Sequence, residues 1–171
     1  MKIIVVPNPV LKAVAQPVDR VDDAVRQQFD DMLATMYDAP GIGLAANQVG
    51  KLNRVLVMDM SVREESAEKT PITMANPEII WASDEPSVME EGCLSIPGQF
   101  AEVTRPAKVR VKYLGYDNTE QELEAEGLLS HCVQHEIDHL NGVLFVDYLS
   151  SLKRNMMLRK VEKLMRDQEV M

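Results

Sequence analysis

Residues 127–142 read "GLLSHCVQHEIDHLNG". Leu128, Leu129, Cys132, Val133, Ile137 and Leu140 give the run apolar flanks, and it stops at Asn141-Gly142, where glycine can take the left-handed conformation that ends a helix. The spacing predicts a buried helix over 127–140. His135, Glu136, Asp138 and His139 sit inside it, and burying such groups without a task is costly. Residues four apart on a helix share one face and lie about 6 Å apart along the axis. His135 and His139 can therefore reach a single metal ion. Glu136, beside the first histidine, can reach the ion's bound water without ligating the ion, which is the general-base arrangement of metal hydrolases.

The chain around this helix has 171 residues, 46% apolar and 26% charged, which suits one soluble domain. Residues 21–37 place Val25, Phe29, Met32 and Met36 at helical spacing, with Asp22 and Asp23 in the first turn. "RVLVMDM" (54–60) reads as a buried strand, and "SVREESAEKT" (61–70) as a polar loop. "PITMANPEII" and "KVRVKYLGY" read as strands, and "DNTEQELEAEG" as a turn with another strand. Residues 151–168 form a last helix with Leu152, Met157, Val161, Leu164 and Met165 near one side. The expected class is α+β: mostly antiparallel sheets around a central metal-binding helix, with an N-terminal and a C-terminal helix. Residues 1–149 would form the catalytic unit, and 150–171 a basic helical extension of it.

No apolar run approaches the roughly 20 residues of a membrane span. "MKIIVVPNPV" meets two prolines and offers no small-residue cleavage site, so it reads as a strand or extended arm rather than a signal peptide. The expected location is the cytoplasm, where Cys93 and Cys132 are thiols available as ligands or nucleophiles. The net charge of −9 argues against a general nucleic-acid binder and excludes DNA as the expected partner. That charge is uneven. Residues 150–171 hold six Lys/Arg and three acids, about +3, which leaves −12 on the rest. A basic tail on an acidic body suggests a local anionic partner. Nothing in the sequence demands more than a monomer.

His135 and His139 need a third protein ligand. His131 shares their stripe, but it lies eight residues from His139, a rise of about 12 Å, too far for both to bind one ion at ~2.1 Å. It is expected to be a pocket wall or a partly exposed group. Downstream, the continuation His-Glu-x-x-His-x-x-Gly-x-x-His places Phe145 where a zinc endopeptidase carries its third histidine. Upstream, "MEEGCLSIPGQF" holds Cys93 after Gly92. A buried apolar cysteine is the common alternative. The preceding glycine lets an ion or substrate approach, and a thiolate is a good ligand for zinc or ferrous iron. One Cys and two His leave an open fourth position, as in catalytic sites. Glu136 and that open position also speak against a metal-stabilised binding module without catalysis.

"GIGLAANQ" (41–48), "EGCLS" (91–95) and "QHEIDHL" (134–140) are similar, in order and spacing, to the three motifs of peptide deformylases. The resemblance spans nearly the whole chain. It implies hydrolysis of the formyl group from N-formylmethionine on new polypeptides, with release of formate. It also implies that Cys93, His135 and His139 bind one divalent metal ion, Fe2+ in the cell, with Zn2+, Ni2+ or Co2+ as substitutes. Glu136 would be the acid/base, and Gln48 with the Leu94 N–H would hold the formyl oxygen. Gly43 and Gly92 would pair with the substrate backbone. Ile42, Glu91, Leu128, His131 and Cys132 would line the methionine pocket, with Glu91 paired to Arg105 beneath it. Phe100 and His131 depart from the family pattern, in which many relatives carry arginine or another polar or aromatic group at the first position and an apolar residue is common at the second. The basic C-terminal helix resembles the longer tail of a deformylase subtype that docks on the ribosome near the exit tunnel.

Overall fold

The computed structural model describes residues 1–64 and 68–170, so the centre of the expected polar loop, residues 65–67, lies outside the described residues. The helices are α1 (Asp23–Asp38), α2 (Gly127–Leu140) and α3 (Ser151–Val170). The strands are β1 (Gly43–Ala45), β2 (Val55–Met58), β3 (Ile72–Ala82), β4 (Pro86–Cys93), β5 (Ile96–Pro106), β6 (Lys108–Leu114) and β7 (Glu120–Glu126). Five strands form an antiparallel sheet in the order β1-β2-β3-β6-β7, while β4 and β5 form a separate antiparallel hairpin. The α+β class and the antiparallel sheets agree with the sequence.

Strand β2 explains how the layers stack. All four of its residues are buried. Side chains alternate across a strand, so Val55 and Val57 pack with Phe29, Met32 and Met36 of α1. Leu56 and Met58 face the other way, onto Val133, Ile137 and Leu140 of α2. The larger sheet thus lies between α1 and α2. Helix α1 starts where the Asp22 carboxylate accepts the Val25 N–H at 3.0 Å, satisfying one free donor of its first turn.

Helix α2 ends at Asn141, and Gly142 follows with φ +75°. That glycine does more than stop the helix. A Cβ on it would strike the Lys12 carbonyl, so the N-terminal segment packs directly on this turn. "MKIIVVP" is an extended arm rather than a strand. Its Ile4 N–H donates to the Gln48 carbonyl and its Val6 N–H to the Ser95 carbonyl, 2.7 and 3.0 Å away. The arm therefore ties two motif segments together from behind.

The β4–β5 hairpin packs against a third apolar cluster, in which Ile96 and Val103 meet Phe145, Val146 and Val161. Its register runs evenly from Pro86↔Pro106 to Gly92↔Phe100, then shifts so that Cys93 pairs with Ile96. Such irregularities re-aim a side chain at the end of a ladder, and the residue re-aimed here is Cys93.

Helix α3 corrects two details. Met157, Leu158, Val161 and Met165 pack on the third cluster, whereas Leu152 is 73% exposed and Leu164 is exposed too. Leu152 is nine residues from Val161, which at about 100° per residue is half a turn away. It faces opposite to the packed stripe. Among the described residues, no helix is long and apolar enough to cross a membrane.

Candidate active site and metal centre

Helix α2 and the hairpin bring three ligand-type side chains together. The sulfur of Cys93 lies 3.3 Å from His139 Nε2, which lies 3.2 Å from His135 Nε2. All three ligand atoms fall within 4.8 Å of one another. Tetrahedral ligands at ~2.1 Å for nitrogen and ~2.3 Å for sulfur stand roughly 3.4–3.6 Å apart. The donor set and its spacing therefore fit one divalent ion.

His135 is held from behind. Its Nδ1–H donates to Glu91 Oε1 at 3.0 Å, which leaves Nε2 free to ligate. Glu91 also accepts from Arg105 Nε (2.7 Å) and Nη2 (2.9 Å), the pairing expected from sequence, and from His131 Nδ1 (2.8 Å). Burial works to raise the Glu91 pKa, but these bonds, led by Arg105, win and hold it at about 2. Arg105 also reaches Asp138 Oδ2 at 2.8 Å, and the Tyr148 hydroxyl donates to that same oxygen. His139 Nδ1 is buried, with no hydrogen-bond partner among the described residues.

Burial opposes a charge on His135. Its bonds to Cys93 and Glu91 outweigh that and raise its pKa. Burial and the adjacent His135 push His139 the other way. Burial drives the Glu136 carboxyl up to about 7, against the pull of His135. Glu136 Oε1 is buried without a hydrogen-bond partner among the described residues. A Cβ on Gly43 would lie 2.5 Å from Glu136 Oε2 and 2.9 Å from Cys132 Sγ, so β1 approaches the carboxylate as only glycine allows.

The Gln48 amide is oriented by its neighbours. Its Oε1 accepts the Ala45 N–H at 3.0 Å, which turns Nε2 toward Ser95 Oγ (3.1 Å) and the Cys93 sulfur (3.5 Å). It caps its loop and faces the centre at once. The centre opens into a cavity of about 600 Å³, within the range of small-ligand sites. Ile42, Gly43, Gln48, Glu91, Gly92, Cys93, Leu94, Leu128, His131, Cys132, His135 and Glu136 all border it. Phe100 forms an exposed part of the rim. Of the candidate residues, His139 alone is absent from the lining, and it is fully buried.

A family model described as polypeptide deformylase matches residues 1–155. Over 165 residues the chain is 56% identical to the peptide deformylase of Mesorhizobium japonicum, covering 96% of this chain and 93% of that one. The chain belongs to the peptide deformylase family. Solved deformylases agree with the fold. The peptide deformylase from Ehrlichia chaffeensis matches with a TM-score of 0.93 at 40% identity over 98% of each chain. One from Legionella pneumophila gives 0.91 at 44% identity, covering 98% of this chain and 96% of that one. A structure of the Ehrlichia chaffeensis deformylase in complex with actinonin gives 0.90 at 42% identity, covering 95% of this chain and 96% of that one.

Beyond the deformylase motifs, sequence reasoning assigned nothing to Ser95, Asp138, Tyr148 or Ser87. Asp138 lies inside the motif helix, but it is partly exposed rather than buried as the sequence suggests, and its partners Arg105 and Tyr148 come from distant parts of the chain or the helix exit. Ser95, Ser87 and Tyr148 give no signal, since short hydroxyl residues and a lone tyrosine are common everywhere.

Proposed function

We propose that the chain performs its family's reaction: metal-dependent hydrolysis of the formyl amide on N-formylmethionyl nascent polypeptides, releasing formate. The observation that carries this is the convergence of Cys93, His135 and His139 beside the buried Glu136, at the wall of a cavity between two strand edges. Cys93, His135 and His139 would hold one divalent ion, Fe2+ in the cell, with Zn2+, Ni2+ or Co2+ able to replace it. When bound, the ion lowers the pKa of a water and polarises the formyl carbonyl.

Glu136 moves the proton. A carboxyl with its pKa near 7 is matched to work in both directions at neutral pH. It accepts a proton from the attacking water and returns it to the methionine amine as the C–N bond breaks. The Gln48 Nε2 and the Leu94 N–H stabilise the oxygen that gains negative charge. Gln48 needs no reorganisation for this, because Ala45 already fixes its amide.

The substrate backbone lies between Gly43 on β1 and Gly92 on β4. Strand β1 is an edge of the large sheet, and among the described residues β4 pairs only with β5. An extended peptide can add to both edges. Ile42, Leu128, His131 and Cys132 enclose the methionine side chain. Glu91 adds wall but no free acceptor, since its carboxylate is committed to Arg105, His131 and His135.

The enzyme acts as a cytoplasmic monomer, with residues 1–149 carrying the chemistry. The basic residues of α3 dock the protein on the ribosome near the exit tunnel. The deciding assay uses protein prepared without oxygen and loaded with iron. It should release formate from formyl-Met-Ala-Ser and leave a long unformylated peptide uncut. Internal cleavage without formate release would replace this reading with an endopeptidase.

A further inference from the structure

His131 stands one turn before His135 on α2 and is only 2% exposed. Both its ring nitrogens are engaged. Nδ1 lies 2.8 Å from Glu91 Oε2, and Nε2 lies 3.1 Å from Ser87 Oγ on β4. The Glu91 carboxylate is ionised and accepts only, so Nδ1 must carry a proton whatever the charge on the ring. In the neutral ring Nε2 then accepts from the Ser87 hydroxyl. Serine, histidine and acid in this order resemble a nucleophile triad, but Ser87 does not border the cavity and Arg105 already pairs the acid.

The arrangement at Glu91 has another consequence. Its two oxygens receive four donors: Arg105 Nη2 and His135 on Oε1, Arg105 Nε and His131 on Oε2. Arg105 is shared with Asp138, which pulls on its Nη1. The two imidazoles each hold one oxygen. Any tilt of the carboxylate that lengthens the bond to His131 also moves the bond to His135.

We propose that His131 is a positioning residue for the metal centre. Its Nδ1–H fixes Glu91 so that Oε1 stays aimed at His135 Nδ1, and Glu91 in turn holds His135 Nε2 toward the ion. This rests on the reading of Cys93, His135 and His139 as ligands. His131 thereby serves the ion as well as bordering the cavity, and Ser87 anchors the far end of the relay on the hairpin.

Groups that orient a metal-bound histidine typically change metal affinity by about 10–100-fold. His131 acts through one more residue, so about tenfold is expected. Metal-free protein would be titrated with Co2+ and followed by its visible absorption. His131→Asn presents an amide N–H near the place of Nδ1 and should bind Co2+ within about twofold of the parent. His131→Gln places its amide nearer Nε2, toward Ser87, and His131→Leu removes both contacts. These two should bind about tenfold more weakly, with altered absorption bands. Parent-like affinity for both Gln and Leu variants would overturn the proposal. So would an Asn variant as weak as the Leu variant, because packing rather than the N–H would then be responsible. If His131→Leu fails to fold, the Asn and Gln pair decides. His135→Ala anchors the ligand reading: it must lose Co2+ binding, and retained binding there would refute the ligand set itself.

Discussion

In α2, ten of fourteen residues are buried, among them two histidines, a glutamate and a glutamine beyond His131. In α3, Val161 is the one buried residue among those described, and the helix turns charged residues and Leu152 to the surface. His131, Gln134 and His135 in α2 exchange water for named partners at fixed distances, so a small displacement there costs much. A polar group in α3 keeps its water, so most changes there cost little. One helix carries the candidate site, and the other offers a surface. The two should respond to substitution on different scales.

The largest expected effect is on rate. Glu136→Ala should reduce formate release by about 10³–10⁴-fold, the upper part of the range for losing a positioned proton carrier. Metal content should stay at one ion per chain, read by elemental analysis. Loss of the ion instead would make Glu136 a ligand. Next comes stability. Arg105→Ala leaves Glu91 and Asp138 facing each other's surroundings without their shared cation. Removing one partner of a buried pair typically costs about 3–5 kcal/mol, and the urea midpoint should fall accordingly. A change below about 1 kcal/mol would mean that the pair is better hydrated than its burial indicates.

Gly43→Ala tests the chemistry of the α2 site from β1. The new methyl must displace Glu136 or Cys132. A misplacement of about 1 Å can cost on the order of 100-fold in rate, so kcat should fall about 10–100-fold while the protein stays folded. Unchanged kcat would show that the carboxylate yields freely.

This contrast also explains which parts of the fold and site are legible in the sequence. His135, Glu136 and His139 are local in sequence, and their spacing carries the geometry. The α1 stripe from Val25 to Met36 is equally local, and its four residues are all buried. The β4–β5 hairpin was not legible. Strand β4 reads Pro-Ser-Val-Met-Glu-Glu-Gly-Cys, with Val88 exposed and Glu91 buried, the reverse of a simple apolar alternation. Its order comes from pairing with residues up to twenty positions away and from Arg105 meeting Glu91. The register shift at Gly92/Cys93 has no local signature either. In α3, the apolar residues were visible, but Leu152 and Leu158 look alike in sequence. Only the position of the third cluster decides that Leu158 packs and Leu152 does not.

Within α3 itself, Val161 should behave like a residue of α2. It is fully buried against the cluster of Ile96 and Phe145. Val161→Ala removes two carbons and leaves a small cavity, an expected loss of about 2 kcal/mol in the unfolding free energy.

The smallest expected effect falls on the exposed face of the same helix. Reversing Lys153, Arg159 and Lys160 to glutamate removes positive charges that are exposed to water. Surface changes of this kind shift stability by about 0.5 kcal/mol or less. Formate release from a free tripeptide should be unaltered, because the cavity borders none of the three. Co-sedimentation with ribosomes should nevertheless fall sharply, and the parent's binding should weaken as salt shortens the reach of the charges. Truncation after Leu149 would be a poorer test, since it also removes Val161 and confuses lost packing with lost charge. If the charge-reversed protein sediments with ribosomes as the parent does, the basic face is only a solvated surface, and α3 serves the fold through the apolar side of Met157, Leu158, Val161 and Met165.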